Sequence, residues 1–326
     1  MTPNDDVWRA LDQRWFNVSS ARGNGRVYQS GIFMLRFGAP ILFVVIWSTG
    51  FIVARAVSQH ADLQLFLLAR LSATSLVMGS LAAIAGATWP RGREIGYQLF
   101  AGMLLQGAYL CFSYWAISQG MAAGVMALLG ALQPLFTALF IAATGTALGG
   151  RTWAGLLIGF AGVGCVLAPK LAISGAGSLS LAAAGAALLS VVGVTIGTLL
   201  QQWLQKIDLR VASSIQNAGA SVVALLMTGL VGTGAWDGSP ILWSALVWAV
   251  LVPSVIGTSL LMWMMRHGEA TKVTSLLLLV PPLAAIQAYA FFRETLSPVQ
   301  FIGFALALLG VVLARTAHIQ TNRARA

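Results

Sequence analysis

Residues 115–135 read WAISQGMAAGVMALLGALQPL, and residues 263–283 read WMMRHGEATKVTSLLLLVPPL. A gap-free shift of 148 residues superimposes the two stretches, and its extension to residue 163 gives thirteen identical pairs among forty-nine. Because an internal repeat determines architecture, these matches predict two related halves. The most informative pairs are Trp115 with Trp263, Pro134 with Pro282 and Gly155 with Gly303. A weaker match, at an offset of 146, pairs Asp62-Leu63 with Asp208-Leu209.

The composition of the chain indicates a protein that lies in lipid. Hydrophobic residues make up 58% and charged residues 9%, whereas soluble globular domains carry about 25% charged residues. A membrane-spanning helix needs about 20 predominantly apolar residues. The apolar runs of the sequence predict ten such helices, near residues 37–57, 63–86, 96–118, 121–144, 152–168, 178–203, 210–232, 240–265, 270–292 and 298–314.

The basic residues are distributed unevenly between the two sides that these spans define. With the N-terminus in the cytoplasm, fifteen of the nineteen Lys and Arg residues lie inside, three lie outside and Arg70 lies within a span. Cytoplasmic loops carry such an excess of positive charge. The net charge of +10 is therefore an orientation signal rather than a sign of nucleic-acid binding. We expect residues 1–36 and 316–326 to be cytoplasmic tails, with the lipid bilayer as a partner and no nucleic acid.

The number of spans in each half fixes how the halves are related. Five is an odd number, so the second half enters the membrane from the opposite side, as in transporters built from inverted repeats. The predicted fold class is an all-α integral membrane protein with ten transmembrane helices in two inverted-topology five-helix repeats. The first repeat comprises residues 37–168 and the second comprises residues 178–315.

Three stretches of the sequence resemble a known family. WSTGFIVARA at 47–56, LLARLSATS at 67–75 and FFRETLSPVQFIGFALALLGVVLAR at 291–315 are similar to segments of the EamA-type transporters of the drug/metabolite transporter superfamily. The resemblance covers roughly residues 37–315. In the closing stretch Arg293-Glu294 replaces the Gly-Glu pair that is common in the family, which leaves the role of Glu294 open.

The resemblance implies a multi-pass carrier of the bacterial inner membrane, often an exporter, that moves an amino acid or another small metabolite by alternating access. It also implies a midplane cavity lined by the first, third, fourth, sixth, eighth and ninth spans. A sugar-phosphate or nucleotide-sugar exchanger is an alternative carrier. Such an exchanger would be expected to hold more than one cation in its cavity, and Arg70 is the one that the sequence offers.

Polar side chains inside the spans are the candidate substrate-binding residues, because polar groups in lipid are costly and usually face the bundle interior. In the third span Gln106, Tyr109 and Ser113 have the spacing of one α-helical face. A Ser or Thr hydroxyl can instead bond its own preceding turn or a neighbouring helix. The full set of candidates is Trp47, Ser48, Thr49, Arg70, Gln106, Tyr109, Ser113, Gln133, Thr195, Thr258 and Trp263.

Arg70 is the charged member of this set. If its helix begins near Asp62, Arg70 lies about 12 Å below the outer surface, at about 1.5 Å per residue. One reading has the side chain extend outward or bond backbone carbonyls. The other has it face the cavity as a fixed positive charge that binds a carboxylate or another anionic group.

Prolines mark candidate hinges. Pro134 in the fourth span and the pair Pro281 and Pro282 in the ninth occupy matching places in the two halves. Proline frees a backbone carbonyl and bends a helix, so these residues are either hinges or ordinary packing kinks. Glycines in the fifth span, such as Gly155 and Gly162, allow close helix packing, either within one chain or in a homodimer.

Groups suited to catalysis are scarce. No Asp or Glu lies in the interior of a predicted span, and His60, His267 and His318 all lie in predicted loops or the tail. A proton relay through a central carboxylate is therefore not expected, and facilitated diffusion fits at least as well as proton antiport. Cys111 and Cys165 fall in apolar runs, where a metal site is not expected. We predict no catalytic residue and no cofactor, with an intramembrane hydrolase or transferase as the alternative from another class.

Overall fold

The computed structural model describes residues 25–145, 147–171, 180–204, 206–260, 264 and 277–323. These parts of the chain are helical and contain no strands beyond an isolated antiparallel bridge between Ala61 and Trp236. The protein is thus an all-α membrane protein, as its composition predicted. The chain divides into two compact units, residues 1–42 and residues 43–326, and the sites described below belong to the second.

The helices of the described residues overlap the predicted spans, but the first begins at residue 25 rather than 37 and the last ends at residue 323 rather than 314. Residues 270–276 of the predicted ninth span lie outside the described residues. The helices are α1 (Gly25–Val57), α2 (Leu63–Ile84), α3 (Arg93–Ser118), α4 (Ala123–Ala143), α5 (Gly150–Leu171), α6 (Leu181–Gln201), α7 (Leu209–Val231), α8 (Pro240–Leu260), α9 (Val280–Phe292) and α10 (Pro298–Arg323). Each of the first eight contains a segment long and apolar enough to cross a membrane. The apolar parts of the last two are shorter, Val280–Phe292 and Pro298–Ala314.

Polar residues between the apolar runs set where several helices begin. Asp62, Ser180, Asp208 and Ser239 each precede a helix and accept a backbone N–H group from its first turn. The first N–H groups of a helix have no acceptor within the helix, and a side-chain oxygen at this position stabilises the start. These caps start α2, α6, α7 and α8.

Two helices contain a π-helical segment, in which the turns are wider than in an α-helix. In α3 the segment is Met103–Ala108, and in α8 it is Val250–Gly257. The repeat offset of 148 maps residues 103–108 onto 251–256, so the two segments occupy matching places. Pro253 cannot donate a backbone hydrogen bond, which explains the wide turn in α8. Such turns are often found at functional sites.

The candidate hinge prolines lie in the first turns of helical segments. α4 consists of Ala123–Gly130 and Gln133–Ala143, and Pro134 lies in the first turn of the second part. Pro281 and Pro282 lie in the first turn of α9, after a short 3₁₀ segment. A proline is tolerated in the first turn because no intrahelical bond is lost there. Movement at these positions stays a prediction.

Glycines bring α5 and α10 into close backbone contact. A Cβ added to Gly162 would lie 2.6 Å from the carbonyl oxygen of Gly303, and a Cβ on Gly303 would lie 2.6 Å from the carbonyl oxygen of Gly162. Gly155 and Gly310 show the same crowding. Such close approach requires residues without a side chain. These glycines therefore serve packing within one chain.

The helices α2 and α7, which the offset of 146 relates, meet along a seam of serines. The Ser75 hydroxyl donates to the Ser214 carbonyl and the Ser214 hydroxyl donates to the Ser75 carbonyl, each at 2.8 Å. Ser72 donates to Ser221 at 3.3 Å. Hydroxyls that bond across helices satisfy their polar groups inside the bundle, so the two halves are joined by polar contacts within an otherwise apolar core.

Candidate functional site

Arg70 lies on the buried face of α2 and contacts two other helices through one residue. Its Nη1 atom donates to the Tyr114 hydroxyl at 3.0 Å. That hydroxyl in turn donates to the Gly50 carbonyl at 2.9 Å. Arg70 is only 7% exposed, so it does not extend to the surface as a basic side chain near a membrane boundary often does. The contact connects α2 to α3 and α1.

The positive charge of Arg70 has no carboxylate partner in the described residues. Their ion pairs involve other side chains: Arg55 with Glu294, His60 with Asp237 and Arg210 with Asp208. The Nε atom of Arg70 is buried and has no hydrogen-bond partner among the described residues. A buried donor without an acceptor is costly, and a buried charge without a counterion is more so. The arrangement can therefore receive an anionic group.

The candidates on α1 bond mainly to their own helix. The hydroxyls of Ser48 and Thr49 donate to carbonyls three residues earlier, at 2.8 Å and 2.7 Å. Thr49 also accepts a hydrogen bond from Trp248 Nε1 at 3.3 Å, which links α1 to α8. Trp47 is 38% exposed, whereas Ser48 beside it is buried.

The candidates on α3 differ from the α-helical face that the spacing predicted. Ser113 is buried, and its hydroxyl donates to the Tyr109 carbonyl at 2.5 Å. The Tyr109 ring packs edge-on against Phe51, with ring centroids 6.0 Å apart. Its hydroxyl lies 2.7 Å from where a Cβ on Gly130 would be. Gln106 falls in the π-helical segment, so α-helical spacing does not relate it to the other two.

The remaining candidates lie on α4, α6 and α8. Gln133 Nε2 donates to the Thr198 hydroxyl at 2.8 Å and so connects α4 to α6. Thr195 is buried, and its hydroxyl donates to a carbonyl four residues earlier at 2.6 Å. Thr258 is half-buried directly after the π-helical segment of α8. Trp263 lies outside the described residues.

Among the described residues, three of these candidates each bond a residue that was not itself a candidate and that lies on another helix. Arg70 links α2 to α3 and, through Tyr114, to α1. Thr49 links α1 to α8, and Gln133 links α4 to α6. A cavity of about 390 Å³ lies along α8, and Trp248 on its wall carries the bond to Thr49. Arg70 does not line this cavity. A shared cavity for all the candidates stays a prediction.

The turn between α1 and α2 is held against the loop between α7 and α8. The Asp62 N–H group donates to the Ala235 carbonyl at 2.8 Å, and the Asp237 N–H group donates to the His60 carbonyl at 3.0 Å. The His60 ring also bonds the Asp237 carboxylate at 2.7 Å. We call these contacts of residues 60–62 with residues 233–237 the clamp. A cavity of about 340 Å³ lies beside it.

The Asp62 carboxylate is the centre of the clamp. It accepts the N–H groups of Gln64 and Leu65 in α2, and those of Thr233 and Gly234 in the facing loop. Burial raises the pKa of Asp62, but these four N–H groups outweigh it, so that the pKa lies below its ordinary value. Asp62 is therefore charged at neutral pH.

A second contact links the end of α1 to the segment between α9 and α10. Arg55 Nε lies 3.2 Å from Glu294 Oε1. The other carboxylate oxygen of Glu294 accepts the N–H group of Ala123, the first residue of α4, at 3.1 Å. A carboxylate is favourable at a helix N-terminus. Glu294, whose role the sequence left open, thus both pairs with Arg55 and caps α4.

Sequence alone did not identify several of the partners. Tyr114, Thr198 and Trp248 each bond a predicted candidate from another helix. A signal for Tyr114 and Trp248 was present, because the polar atom of a Tyr or Trp in an apolar span usually finds a hydrogen-bond partner. The identity of that partner depends on how the helices pack.

The chemistry of these groups is that of binding. Clusters of three or more His, Cys, Asp or Glu residues that could hold a metal ion are absent from the described part of the chain. A buried cation, amide groups and aromatic rings lie among helices that are apolar and long enough to span a membrane. Fold and site together define a multi-span membrane protein equipped to bind a polar solute, which is the class of membrane transporters.

The family can be stated more narrowly. The model of the EamA-like transporter family matches residues 30–168 and matches again over residues 181–316. The chain therefore belongs to the EamA-like transporter family. It is a multi-pass membrane transporter of a small molecule rather than an enzyme, as the resemblance in three short stretches predicted.

Individual relatives agree with this family. A protein of Streptantibioticus cattleyicolor named a probable terminal-alkyne amino-acid exporter is 26% identical over 84% of this chain and 91% of its own. An Escherichia coli K12 protein named a probable amino-acid metabolite efflux pump is 25% identical over 84% of this chain and 92% of its own. The E. coli K12 inner membrane transporter YedA, named as uncharacterized, is 25% identical over 85% and 89%.

A solved crystal structure has the same fold. It matches 86% of this chain and 97% of its own chain with a TM-score of 0.59. The sequence identity is 19%, so this likeness concerns the fold alone.

Proposed function

We propose that the chain is a secondary carrier that exports a small metabolite, an amino acid or a compound of similar chemistry, across the bacterial inner membrane. The observation that carries this proposal is the buried Arg70 with its unpartnered Nε atom. A fixed positive charge among membrane helices marks a substrate pathway and attracts an anionic group. Two relatives named for amino-acid export or efflux favour this solute class and direction.

The proposed architecture is ten transmembrane helices in two inverted repeats, residues 37–168 and 178–315, with cytoplasmic tails at 1–36 and 316–326. Two matches to one family model support the repeat. The π-helical segments at matching places in α3 and α8 support it independently. The topology also assigns the clamped turn and its partner loop to the same outer side, which is a requirement for their contact.

The proposed mechanism is alternating access around a midplane cavity. The clamp ties the start of α2 to the loop between α7 and α8. The Glu294 contacts tie the end of α1 and the start of α4 to the segment before α10. Both sets lie on the side that the basic residues assign to the outside. These contacts support a state closed toward the outside, from which transport requires them to open.

The solute contacts proposed for this cavity combine one charge with neutral polar and aromatic groups. Pro134, Pro281 and Pro282 are the proposed hinges, because they stand at helix starts inside or beside spans. The proposed contact residues are Trp47, Ser48, Thr49, Arg70, Gln106, Tyr109, Ser113, Gln133, Thr195, Thr258 and Trp263.

The test is transport by the purified protein in liposomes that are preloaded with a mixture of amino acids. We expect at least one amino acid to leave the liposomes chemically unchanged. Arg70→Ala should abolish this efflux while the protein still inserts and elutes as a single species. Leu76→Ala is the matched control on the same helix, because Leu76 is 73% exposed and carries no polar group.

Two outcomes oppose the proposal. Efflux of none of the amino acids by the wild type rejects the solute class, and a chemically converted product rejects a pure carrier. Normal efflux by Arg70→Ala with full insertion assigns Arg70 to structure alone.

A further inference from the structure

We infer that Tyr114 is a positioning residue that turns one edge of the Arg70 guanidinium, formed by Nε and Nη2, toward the transported solute. That edge selects solutes with a carboxylate, which accepts from both nitrogens at once. This inference rests on the proposed carrier function. It adds that the recognised group is a carboxylate and that Tyr114 orients the Arg70 side chain that binds it.

The hydrogen-bond directions around Tyr114 are fixed by its two partners. A carbonyl oxygen can only accept, so the Tyr114 hydrogen points to Gly50 across 2.9 Å. Arg70 can only donate, so the Tyr114 oxygen accepts from Nη1 across 3.0 Å. Each group in this series of hydrogen bonds can therefore act only as donor or only as acceptor at each contact, and the Tyr114 ring is fully buried. The Nη1 end of Arg70 is therefore held in a single orientation.

The fixed end determines what the other end presents. A guanidinium is planar, and its Nε and Nη2 hydrogens lie side by side on the edge away from the anchored Nη1 hydrogen. Nε is buried and bonds no described residue. This edge has the spacing of the two oxygens of a carboxylate, which bind it through parallel hydrogen bonds. Tyr114 thus holds one side of the guanidinium, while Nε on the opposite edge is buried without a partner among the described residues.

The distribution of charge favours a carboxylate over a phosphate group. In the described spans, Arg70 is the only Lys or Arg that lies more than three residues from a span end. A phosphate group with two negative charges would gain from a second cation at the same depth. A single carboxylate is neutralised by one arginine.

The bond between Tyr114 and Gly50 also links Arg70 to other residues of the proposed site. Gly50 follows Trp47, Ser48 and Thr49 on α1. The bond to its carbonyl therefore fixes Arg70 relative to the helix that carries three proposed solute contacts. Removing the Tyr114 hydroxyl leaves the charge in place and removes only its orientation, and this distinguishes positioning from simple attraction.

The experiment measures efflux from liposomes loaded with amino acids and with the corresponding amino-acid amides, in which a neutral amide replaces the carboxylate. We expect the wild type to move an amino acid and not its amide. Tyr114→Phe should raise the half-saturating concentration roughly tenfold, as expected for losing one hydrogen bond to a charged group. Its maximal rate should stay within about twofold, because binding rather than turnover is affected.

A second variant keeps the test independent of how Tyr114→Phe folds. Arg70→Lys retains the charge but lacks the planar edge, so it should raise the half-saturating concentration at least as much. Ser118→Ala is the control, since Ser118 is exposed at the end of α3 and bonds its own helix.

Equal movement of acid and amide overturns the carboxylate selectivity. Unchanged half-saturation in Tyr114→Phe or in Arg70→Lys overturns the positioning role. Failure of the wild type to move any amino acid is a different result, which rejects the proposed function itself.

Discussion

Asp62 and Asp208 cap α2 and α7 with nearly the same backbone geometry, although they lie in different halves of the chain. Their φ and ψ angles are −57° and 122° for Asp62, and −55° and 131° for Asp208. Each carboxylate accepts the N–H group two residues later. The remaining bonds differ: Asp62 accepts from Thr233 and Gly234 of the facing loop, whereas Asp208 accepts from the Arg210 guanidinium. In the proposed inverted repeat, these two residues would stand at opposite faces of the membrane.

Joining the two sides of the clamp by a disulfide should stop transport. Ala61 and Trp236 are directly opposed in the antiparallel bridge, and the bonds on either side mark them as a non-hydrogen-bonded pair. The Cα atoms of such a pair are about 4.5 Å apart, which suits a disulfide. We expect oxidation of the Ala61→Cys, Trp236→Cys double variant to abolish efflux, and reductant to restore it.

The two single cysteine variants, treated with the same oxidant, are the controls. Continued transport by a fully cross-linked double variant would mean that the outer side opens elsewhere and that the clamp is a static joint.

The clamp should persist in mildly acidic surroundings. The pKa of Asp62 lies below its ordinary value because four N–H groups outweigh the effect of burial. A carboxylate whose pKa is lowered by folding stabilises the folded state fully at every pH above the pKa of the unfolded state. This stabilisation is lost as the pH falls through the pKa of the folded state. The difference in thermal stability between the wild type and Asp62→Asn should thus be constant from about pH 5 to pH 8 and shrink below about pH 4.

Glu94→Gln is the control for this titration, because the Glu94 carboxylate lies outside the clamp and accepts a hydrogen bond from Gln98 on its own helix. A stability difference that already falls between pH 7 and pH 5 would contradict the assigned role of the Asp62 carboxylate.

Two glycines on α5 should respond in opposite ways to the same substitution. A Cβ on Gly162 would lie 2.4 Å from the backbone nitrogen of Ala307 in α10, so Gly162→Ala should destabilise the protein by about 1–3 kcal/mol. A Cβ on Gly164 meets nothing within 4 Å. Because Ala favours a helix over Gly, Gly164→Ala should be neutral or slightly stabilising. Thermal unfolding in detergent measures both, and equal effects would contradict the close packing of α5 on α10.

The helices could be predicted from the sequence because their signal is local. A span needs a run of apolar residues, and residues 63–86 and 121–144 show such runs without reference to the rest of the chain. The caps at Asp62 and Asp208 are local too, since they bond residues two positions away. These features do not depend on how the helices pack.

The partners of the site residues could not be predicted in this way. Tyr114 bonds Gly50, 64 residues away on another helix, and only the packed bundle determines that distance. The π-helical segment of α3 contains no proline and so has no local mark, unlike the segment of α8. Single hydroxyls such as those of Ser48 and Thr195 offered two readings, and their bonds within their own helices favour the structural one.

The difference between Asp62 and Asp208 leads to a prediction about the resting state. Offset by 146, the loop residues Thr233 and Gly234 correspond to Ala87 and Thr88 in the loop after α2. Ala87 packs against the buried cluster of Ala82, Val211 and Ile215, and its N–H group donates to the Ala82 carbonyl in this structure. An inverted repeat that alternates between two states would let Asp208 accept those N–H groups when the inside closes. In this structure Arg210 holds the carboxylate instead, and this bond also keeps the pKa of Asp208 below its ordinary value.

Arg210→Gln should therefore shift the population toward the state that is closed inside and open outside. Glutamine is the residue at the corresponding position of the first half, Gln64, where the carboxylate does engage the opposite loop. Spontaneous disulfide formation between cysteines at positions 61 and 236 should become slower in this background, because the clamp is closed for a smaller fraction of the time. Lys206→Gln removes a neighbouring exposed positive charge and should leave the rate unchanged. A rate unaffected by Arg210→Gln would show that Arg210 does not bias the clamp and that the two aspartates act independently.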